Sequence, residues 1–214
     1  MEADVRRSST FKSSVRNLKK HGILLHDGDD LTHIYEMASG TVKTTKMLAD
    51  GRQMVIGFYG RGDIIGMPYE TKALCSAEAV TDATLLCYPI KQIEDLMERS
   101  AKFYRLMLQL ITKERYERVD HMVALGRKKP TERVASFLLK QKDTLPSEIP
   151  ETYSVNLPMS QTDIADYLGL TQETVCRVLS QFKRQGFIKA THSHEIKIHS
   201  LTSLQATADV GLLH

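Results

Sequence analysis

Residues 157–186 read LPMSQTDIADYLGLTQETVCRVLSQFKRQG and contain two short amphipathic segments. Ser160 precedes the first segment and Asp163 follows three residues later, which resembles a capping box with Asp in place of Glu or Gln. Gly169 allows a sharp turn between the segments, and Thr171 can cap the second one. The stretch therefore predicts two helices joined by a tight turn.

The apolar spacing and the following residues complete this motif. Gly186 ends the second helix, and residues 187–200 (FIKATHSHEIKIHS) indicate a hairpin with its turn near His192–His194. Helix, turn, helix and hairpin together predict a winged helix-turn-helix, in which the second helix enters the DNA major groove. The predicted buried positions are Ile164, Ala165 and Leu168 in the first helix, and Val175, Val178, Leu179 and Phe182 in the second.

Glu173, Cys176 and Arg177 share a face of the second helix that is not the apolar face. Arginine can donate two hydrogen bonds to guanine and glutamate can accept from cytosine, so this face suits base reading, and Cys176 could touch a base or the backbone. The alternative, a solvated Glu–Arg pair one turn apart, stays open. The candidate DNA contacts are Glu173, Cys176, Arg177, Thr171, Gln172, Thr174, Ser160, Gln161 and Lys183, with Arg184 and Lys189 as further phosphate contacts.

The composition limits the protein class. The 214 residues carry a net charge of +3 and are 42% hydrophobic, which suits one large or two small folded domains. We expect a cytoplasmic protein, because no apolar run is long enough for a membrane span and the N-terminus lacks a signal-peptide core. Three dispersed cysteines without a CxxC pair favour neither disulfides nor structural zinc. The chain has no P-loop, HExxH or nucleophile elbow, so we expect no enzyme.

The first half of the chain has the pattern of a small β domain. Short strand-like segments at 33–37, 41–48, 53–59 and 83–90 alternate with Gly- and Asp-containing turns. We therefore predict a β-roll of the jelly-roll type over residues 13–98, after a polar, flexible tail at 1–12.

The sequence between the two regions is helical. A short helix near 91–98 precedes a long helix at 99–126, which ends at GRKKP (126–130). Another helix follows at 131–142, with Val134, Phe137 and Leu138 buried, inside a domain that we place at 127–214. Two alternatives exist for the long helix: packing on its own β-roll, or a two-stranded coiled coil between subunits. Its apolar positions include Phe103, Leu106, Met107, Leu110, Ile111 and Met122.

Residues 157–179 closely resemble the DNA-binding signature of the CRP/FNR family of bacterial transcription regulators, in its FixK-like branch. YGRGDIIGM (59–67) and SAEAVTDATL (76–85) resemble the family's β-roll, and DHMVALGRKKPTERVASFLL (120–139) resembles its helix-to-DNA-domain junction. The resemblance implies an α+β fold with a cyclic-nucleotide-binding-like β-roll, a long dimerisation helix and a C-terminal winged helix-turn-helix.

The resemblance also implies partners and a DNA site. The six apolar positions of the long helix would join a homodimer that binds an inverted repeat and contacts RNA polymerase. Glu173, Cys176 and Arg177 match the family's ExxSR pattern, which implies half-sites of the TTGA type. The chain departs from the family by having Cys176 in place of Ser and Gln161 in place of Arg. The second departure is expected to remove a phosphate contact.

The chain lacks residues that the resemblance associates with control by cAMP or by an iron–sulfur cluster. The resemblance implies that a cAMP site would need an acid for the ribose and an arginine for the phosphate. Residues 66–68 (GMP) and Cys75–Ser76 lack both, and a phosphate without the arginine loses its strongest hydrogen bonds. No cysteine precedes Cys75, which argues against the iron–sulfur cluster of FNR.

We therefore expect a FixK-like activator of low-oxygen or nitrogen-oxide metabolism that needs no cofactor. Oxidation of Cys176 at the helix N-terminus is a candidate tuning mechanism. The alternative is a regulator that binds a small ligand or haem in the β-roll, with His21, His26 and His33 as possible haem ligands.

Overall fold

The structure is a computed structural model that describes residues 13–141, 152–192 and 194–208. The chain forms two compact units, residues 1–117 and 118–214, and the boundary falls within a long helix. The predicted tail at 1–12, the end of the helix predicted at 131–142 and part of the predicted hairpin turn lie outside the described residues.

The first unit is built from two four-stranded antiparallel sheets. One sheet has the order β1-β8-β3-β6 and the other has the order β2-β7-β4-β5. This arrangement is the predicted β-roll. Its strands are β1 (Ser14–Leu18), β2 (Ile23–Leu25), β3 (His33–Ser39), β4 (Val42–Met47), β5 (Gln53–Tyr59), β6 (Ile64–Ile65), β7 (Ser76–Ala79) and β8 (Ala83–Pro89).

Residues 49–51 (ADG) form one of the Gly- and Asp-containing turns predicted between the strand-like segments, and in the structure this turn closes a hairpin. Strands β4 and β5 pair in antiparallel register from Val42 opposite Tyr59 to Met47 opposite Gln53. Gly51 has a φ of 84°, which lies in the region that favours glycine. The Asp-Gly pair thus fixes the position of this turn.

Two helices follow the β-roll: α1 (Ile90–Arg99) and α2 (Ala101–Arg127). Helix α1 buries Ile93 and Met97 in the core of the first unit, next to β-roll residues such as Leu85. Helix α2 has 27 residues and is therefore about 40 Å long. It was predicted at 99–126 but continues through Gly126 and ends one residue later.

The second unit contains the predicted winged helix-turn-helix. Its elements after α2 are α3 (Pro130–Lys140), β9 (Tyr153–Asn156), α4 (Gln161–Leu168), α5 (Gln172–Arg184), β10 (Ile188–His192), β11 (Glu195–Ile198) and α6 (Leu201–Ala208). Strands β10 and β11 form the wing, and β9 pairs with β11 as a third strand. Helix α6 was not predicted. All the predicted apolar positions of α3, α4 and α5 are buried.

Candidate nucleic-acid interface

Side-chain caps fix the start of helix α4. The Ser160 hydroxyl accepts a hydrogen bond from the Asp163 backbone N–H at 3.0 Å, and the Asp163 carboxylate accepts from the Ser160 backbone N–H at 3.1 Å. This is the predicted capping box, with aspartate at the third helical position. The hydroxyl of Ser160 is therefore already used in holding the helix end.

The turn into helix α5 needs glycine. Gly169 has φ 60° and ψ 42°, the left-handed conformation. A Cβ at this position would lie 3.2 Å from Leu125 Cδ2, so a larger residue would also be crowded. Thr171 caps α5 by accepting from the Thr174 backbone N–H at 3.2 Å, and the two threonine hydroxyls lie 2.9 Å apart. Both threonines thus have a structural role at the start of α5.

Helix α5 has one buried face and one open face. Its buried residues are Val175, Val178, Leu179 and Phe182, whereas Glu173 and Arg177 are exposed, as predicted. In the described part of the chain, neither Glu173 nor Arg177 takes part in a hydrogen bond or an ion pair, so the alternative of a Glu–Arg pair is not realised. Both charged groups are available to an external partner.

The two departures from the family pattern lie against each other. Cys176 is only partly exposed, and its thiol donates a hydrogen bond to Gln161 Oε1 at the start of α4. Beside this contact, the Thr162 hydroxyl donates to Gln172 Oε1 at 3.2 Å. Two side-chain bridges therefore connect the first helix of the motif with the second, and sequence spacing did not indicate either one.

Positive charge lies at the far end of α5 and on the wing. Lys183 and Arg184 are exposed in the last turn of α5, and Lys189 is exposed on β10. Lys189 pairs across the wing with Lys197 on β11. These ammonium and guanidinium groups are of the kind that neutralise DNA phosphates.

A partly buried arginine connects the helix-turn-helix to the end of α2. Arg133 on α3 donates to the carbonyl oxygens of Leu125 (2.7 Å), Lys128 (2.9 Å) and Leu168 (2.9 Å), and lies 3.5 Å from that of Gly169. These oxygens belong to the ends of α2 and α4, whose last carbonyls lack partners within their own helices. Arg133 therefore holds two helix ends together, a role that its sequence context did not reveal.

An aromatic stack reinforces this junction. His121 on α2 stacks on Tyr167 of α4 with ring centroids 4.1 Å apart and an interplanar angle of 14°. Its Nε2 is buried without a hydrogen-bond partner among the described residues. Burial lowers the pKa of His121 below its usual value, and the nearby charges of Lys140, Arg118 and Arg133 lower it further. His121 thus favours the neutral form in the folded unit.

Comparisons with known proteins agree with this geometry. Residues 132–207 match the model of a Crp-like helix-turn-helix domain, and residues 15–100 match that of a cyclic nucleotide-binding domain. The nitrogen fixation regulation protein FixK of Bradyrhizobium diazoefficiens is 36% identical over 164 residues, which are 77% of this chain and 69% of that protein. The chain belongs to the CRP/FNR family. It is therefore a DNA-binding transcription regulator with the predicted α+β fold, and not an enzyme.

Other members of the CRP/FNR family match over more of the chain. The transcriptional activator protein Anr of Pseudomonas aeruginosa is 29% identical over 92% of this chain and 80% of its own length. The solved structure of FixK2 from Bradyrhizobium japonicum has 30% identity and a TM-score of 0.85, covering 92% of this chain and 97% of that one. These relatives confirm the FixK-like resemblance inferred from the signature residues.

The long helix α2 has two apolar faces. Phe103 and Met107 are buried in the core of the first unit, and Leu106 and Leu110 pack against that core. The expectation that this stripe contacts a second subunit is thus corrected for Phe103 and Met107, whose side chains are already enclosed. For these residues, packing on the β-roll is the alternative that the structure shows.

The second apolar face of α2 is open. Its large side chains include Leu108 (43% exposed), Ile111 (38%), Val119 (50%) and Met122 (70%). Their spacings of three, eight and three residues are compatible with a heptad-like seam, in which the charged Arg115 lies four residues from both Ile111 and Val119. Ile111 and Met122 were among the predicted dimerisation residues.

The β-roll segment that the family resemblance associates with a cyclic nucleotide makes hydrogen bonds within the protein. The Ser76 hydroxyl, which follows Cys75, accepts from the Asp27 backbone N–H at 3.0 Å. Nearby Lys46 contacts the Asp27 carboxylate at 2.7 Å and the Leu74 carbonyl oxygen at 2.9 Å. The hydroxyl and the cation of this segment are thus engaged within the protein, and Cys75 occupies the place expected for an arginine.

The candidate haem ligands are surface residues. His21 lies 2.9 Å from a Glu78 carboxylate oxygen, His33 lies 2.8 Å from the Thr32 hydroxyl, and His26 is exposed. Within residues 13–141, 152–192 and 194–208, no group of three His, Cys, Asp or Glu side chains could hold a metal ion. In the same ranges, no helix has the length and apolar character needed to cross a bilayer.

Proposed function

We propose that the protein is a homodimeric transcription activator that binds an inverted DNA repeat, with helix α5 of each subunit in the major groove. The observation that carries this proposal is that Glu173 and Arg177, one turn apart near the N-terminus of α5, are exposed and have no hydrogen-bond or ion-pair partner among the residues that the structure describes. A G·C pair offers both partners that they need, since guanine O6 and N7 accept from arginine and cytosine N4 donates to glutamate.

The proposed half-site is of the TTGA type. This assignment follows from the match of Glu173, Cys176 and Arg177 to the family's ExxSR pattern, and TTGA contains one G·C pair. Ser160, Thr171 and Thr174, which cap the two helices, are proposed to contact only the sugar–phosphate backbone of the DNA. Lys183, together with Arg184 and Lys189, supplies phosphate contacts that add affinity without sequence preference.

The proposed dimer joins two copies of α2 along the open face that contains Leu108, Ile111, Val119 and Met122. Two symmetric DNA-binding units match an inverted repeat, because the two-fold axis of the protein then coincides with that of the DNA. Anr of Pseudomonas aeruginosa is a transcriptional activator and FixK is a nitrogen fixation regulator, which supports activation by this protein. Contact with RNA polymerase and a role in low-oxygen or nitrogen-oxide metabolism are proposed from the family resemblance.

We propose that DNA binding needs no cofactor or small effector. The engaged Ser76 hydroxyl, the paired Lys46 ammonium and the surface position of the histidines support this mode. One observation favours the alternative of a ligand in the β-roll: the Thr44 hydroxyl on β4 is buried and has no hydrogen-bond partner among the described residues. Specific DNA binding by purified, ligand-free protein would count against that alternative.

Oxidation of Cys176 is proposed to weaken DNA binding. Hydrogen peroxide would be the oxidant: the Cys176 thiol loses its proton, the sulfur attacks one peroxide oxygen and the O–O bond breaks. The departing hydroxide takes up the proton and leaves as water, and the sulfenic acid remains. Further oxidation would place negative charge next to the DNA phosphates. Cys176→Ser should bind the repeat normally and keep its affinity in peroxide, whereas the same loss in both proteins would exclude this mechanism.

Base reading by α5 is tested with single substitutions and a matched control. Arg177→Ala should lower the ratio of affinities for the repeat and for a scrambled duplex by about 5- to 150-fold per contact, the equivalent of about 1–3 kcal/mol. Ser180→Ala, an equally exposed position of α5, should leave the ratio unchanged. An unchanged ratio for Arg177→Ala, measured by fluorescence anisotropy at fixed salt, would exclude the proposed role of this residue.

A further inference from the structure

The contact between Gln161 and Cys176 joins the first residue of α4 to the second turn of α5. The Cys176 thiol donates to Gln161 Oε1. Cys176 is only partly accessible, whereas Gln161 is exposed. The thiol is therefore directed at the glutamine amide.

This contact fixes the orientation of the glutamine amide. The carboxamide group is planar, with its oxygen and its NH₂ group on opposite sides of the terminal carbon. Because the oxygen accepts from the thiol, the NH₂ group points away from Cys176. Within the described residues this NH₂ group has no protein acceptor, so its two N–H bonds are open to an external one.

We propose that Gln161 donates to a DNA phosphate oxygen and that Cys176 is a positioning residue for Gln161, acting through the amide. A neutral contact then replaces the ionic phosphate contact of the family's arginine, which revises the expectation that the contact is lost at Gln161. This inference rests on the proposed DNA-binding function. The first helix of a helix-turn-helix crosses the sugar–phosphate backbone, which places Gln161 next to phosphates when α5 lies in the groove. Neutral amides, including that of glutamine, are regular phosphate donors.

The arrangement has an energetic consequence. An unrestrained glutamine side chain loses rotamer freedom when it binds DNA, and a thiol that already holds it removes part of that loss. Removing either partner should therefore remove the same contribution. A hydrogen bond typically contributes about 0.5–1.5 kcal/mol net, so the coupling between Gln161 and Cys176 should be about two- to tenfold in DNA affinity.

The first test needs no DNA and therefore does not depend on the proposed function. Iodoacetamide alkylation of Cys176, followed by peptide mass spectrometry, measures the accessibility of the thiol. Gln161→Ala should speed alkylation several-fold, whereas Gln161→Glu, which keeps an acceptor oxygen, should leave it slow. Thr162→Ala is the matched control, because it removes the neighbouring bridge to Gln172 and leaves the thiol contact intact. Equal acceleration by Thr162→Ala and Gln161→Ala would overturn the proposal, since it would indicate general loosening of the two helices.

The second test is a double-mutant cycle on the inverted repeat. Gln161→Ala and Cys176→Ala should each weaken binding. The affinity loss of the double variant should be smaller than the product of the two single losses, by the two- to tenfold coupling. Cys176→Ser should restore wild-type affinity, because its hydroxyl also donates to Gln161 Oε1. Strictly additive losses, or a Cys176→Ser variant as weak as Cys176→Ala, would overturn the role of the pair.

Salt dependence separates a glutamine contact from an ionic one. Gln161→Ala should leave the slope of log K against log[salt] unchanged, because a neutral amide releases no counterions on binding. Gln161→Arg should make the slope steeper by about 0.9 per subunit. A shallower slope for Gln161→Ala would contradict the proposed neutral contact. If the wild-type protein showed no preference for the repeat, the proposed function would fail while the alkylation result would stand by itself.

Discussion

Met122→Ala tests the proposed use of the open face of α2. The Met122 side chain is 70% exposed in the single chain, which is a large fraction for an apolar residue on a helix. In the proposed dimer this surface would be buried against the partner helix. Alanine has at least the helix propensity of methionine, so the substitution should leave α2 itself intact.

The magnitude follows from the exposed fraction. Complete burial of a methionine side chain contributes about 1.5–3 kcal/mol, so burial of the 70% that is exposed contributes about 1–2 kcal/mol. Each dimer contains two copies, which gives about 2–4 kcal/mol of dimer stability. Met122→Ala should therefore raise the dimer dissociation constant by about 30- to 1,000-fold.

Sedimentation equilibrium over a range of protein concentrations measures this constant. Met47→Ala is the matched control, because Met47 is 65% exposed but lies on β4. The control should dimerise like the wild type, and both variants should keep the wild-type circular dichroism spectrum. An unchanged constant for Met122→Ala, or an equal effect of Met47→Ala, would refute the assignment of the open face to dimerisation.

Three further predictions concern the DNA-binding unit. Lys183→Ala should lower the steepness of the salt dependence by about 0.9 per subunit without changing base preference; an unchanged slope in anisotropy titrations would exclude a phosphate contact. Arg133→Gln should lower the free energy of unfolding by about 2–4 kcal/mol in urea titrations, because helix-end carbonyls lose charged donors, and an unchanged midpoint would contradict the clamp. The lowered pKa of His121 means that the unfolded chain binds a proton first, so its contribution is complete above about pH 6.5 and declines as the pH falls towards the folded pKa. His121→Phe, which keeps a ring on Tyr167, should flatten this decline between pH 7.5 and 5.5; an equal decline in both proteins would exclude His121 as its source.

The helix-turn-helix was readable from the sequence because its signals are local. The cap residues Ser160 and Thr171, and the turn at Gly169, each act within four residues along the chain. The apolar spacing of α5 likewise depends only on the period of the helix. Local signals of this kind specify where helices begin, end and turn.

Other features of the fold were missed for identifiable reasons. Strands β2, β6 and β7 have three, two and four residues, too few to show an alternating pattern. Strand β1 is mostly exposed and polar, and is recognised only by its pairing with β8. Helix α6, with the sequence LTSLQATA, has few strong helix formers and depends on tertiary packing.

Contacts between residues that are distant in the sequence were also not predicted. The carbonyl partners of Arg133 lie up to 36 residues away, and Cys176 is 15 residues from Gln161. The periodicity of α2 identified apolar positions but not which face meets which partner. Phe103 and Met107 were assigned to dimerisation because the helix has two apolar faces and spacing alone cannot rank them.

The protein is proposed to bind a specific DNA sequence without an effector. The most direct measurement is fluorescence anisotropy of reduced, ligand-free protein on a duplex with a TTGA-type inverted repeat, against a scrambled duplex at the same salt concentration. We predict tighter binding to the repeat by a factor of about 10³ or more, with one dimer per duplex. Equal affinity for both duplexes would contradict the account and would direct attention to a ligand in the β-roll, beginning at the buried hydroxyl of Thr44.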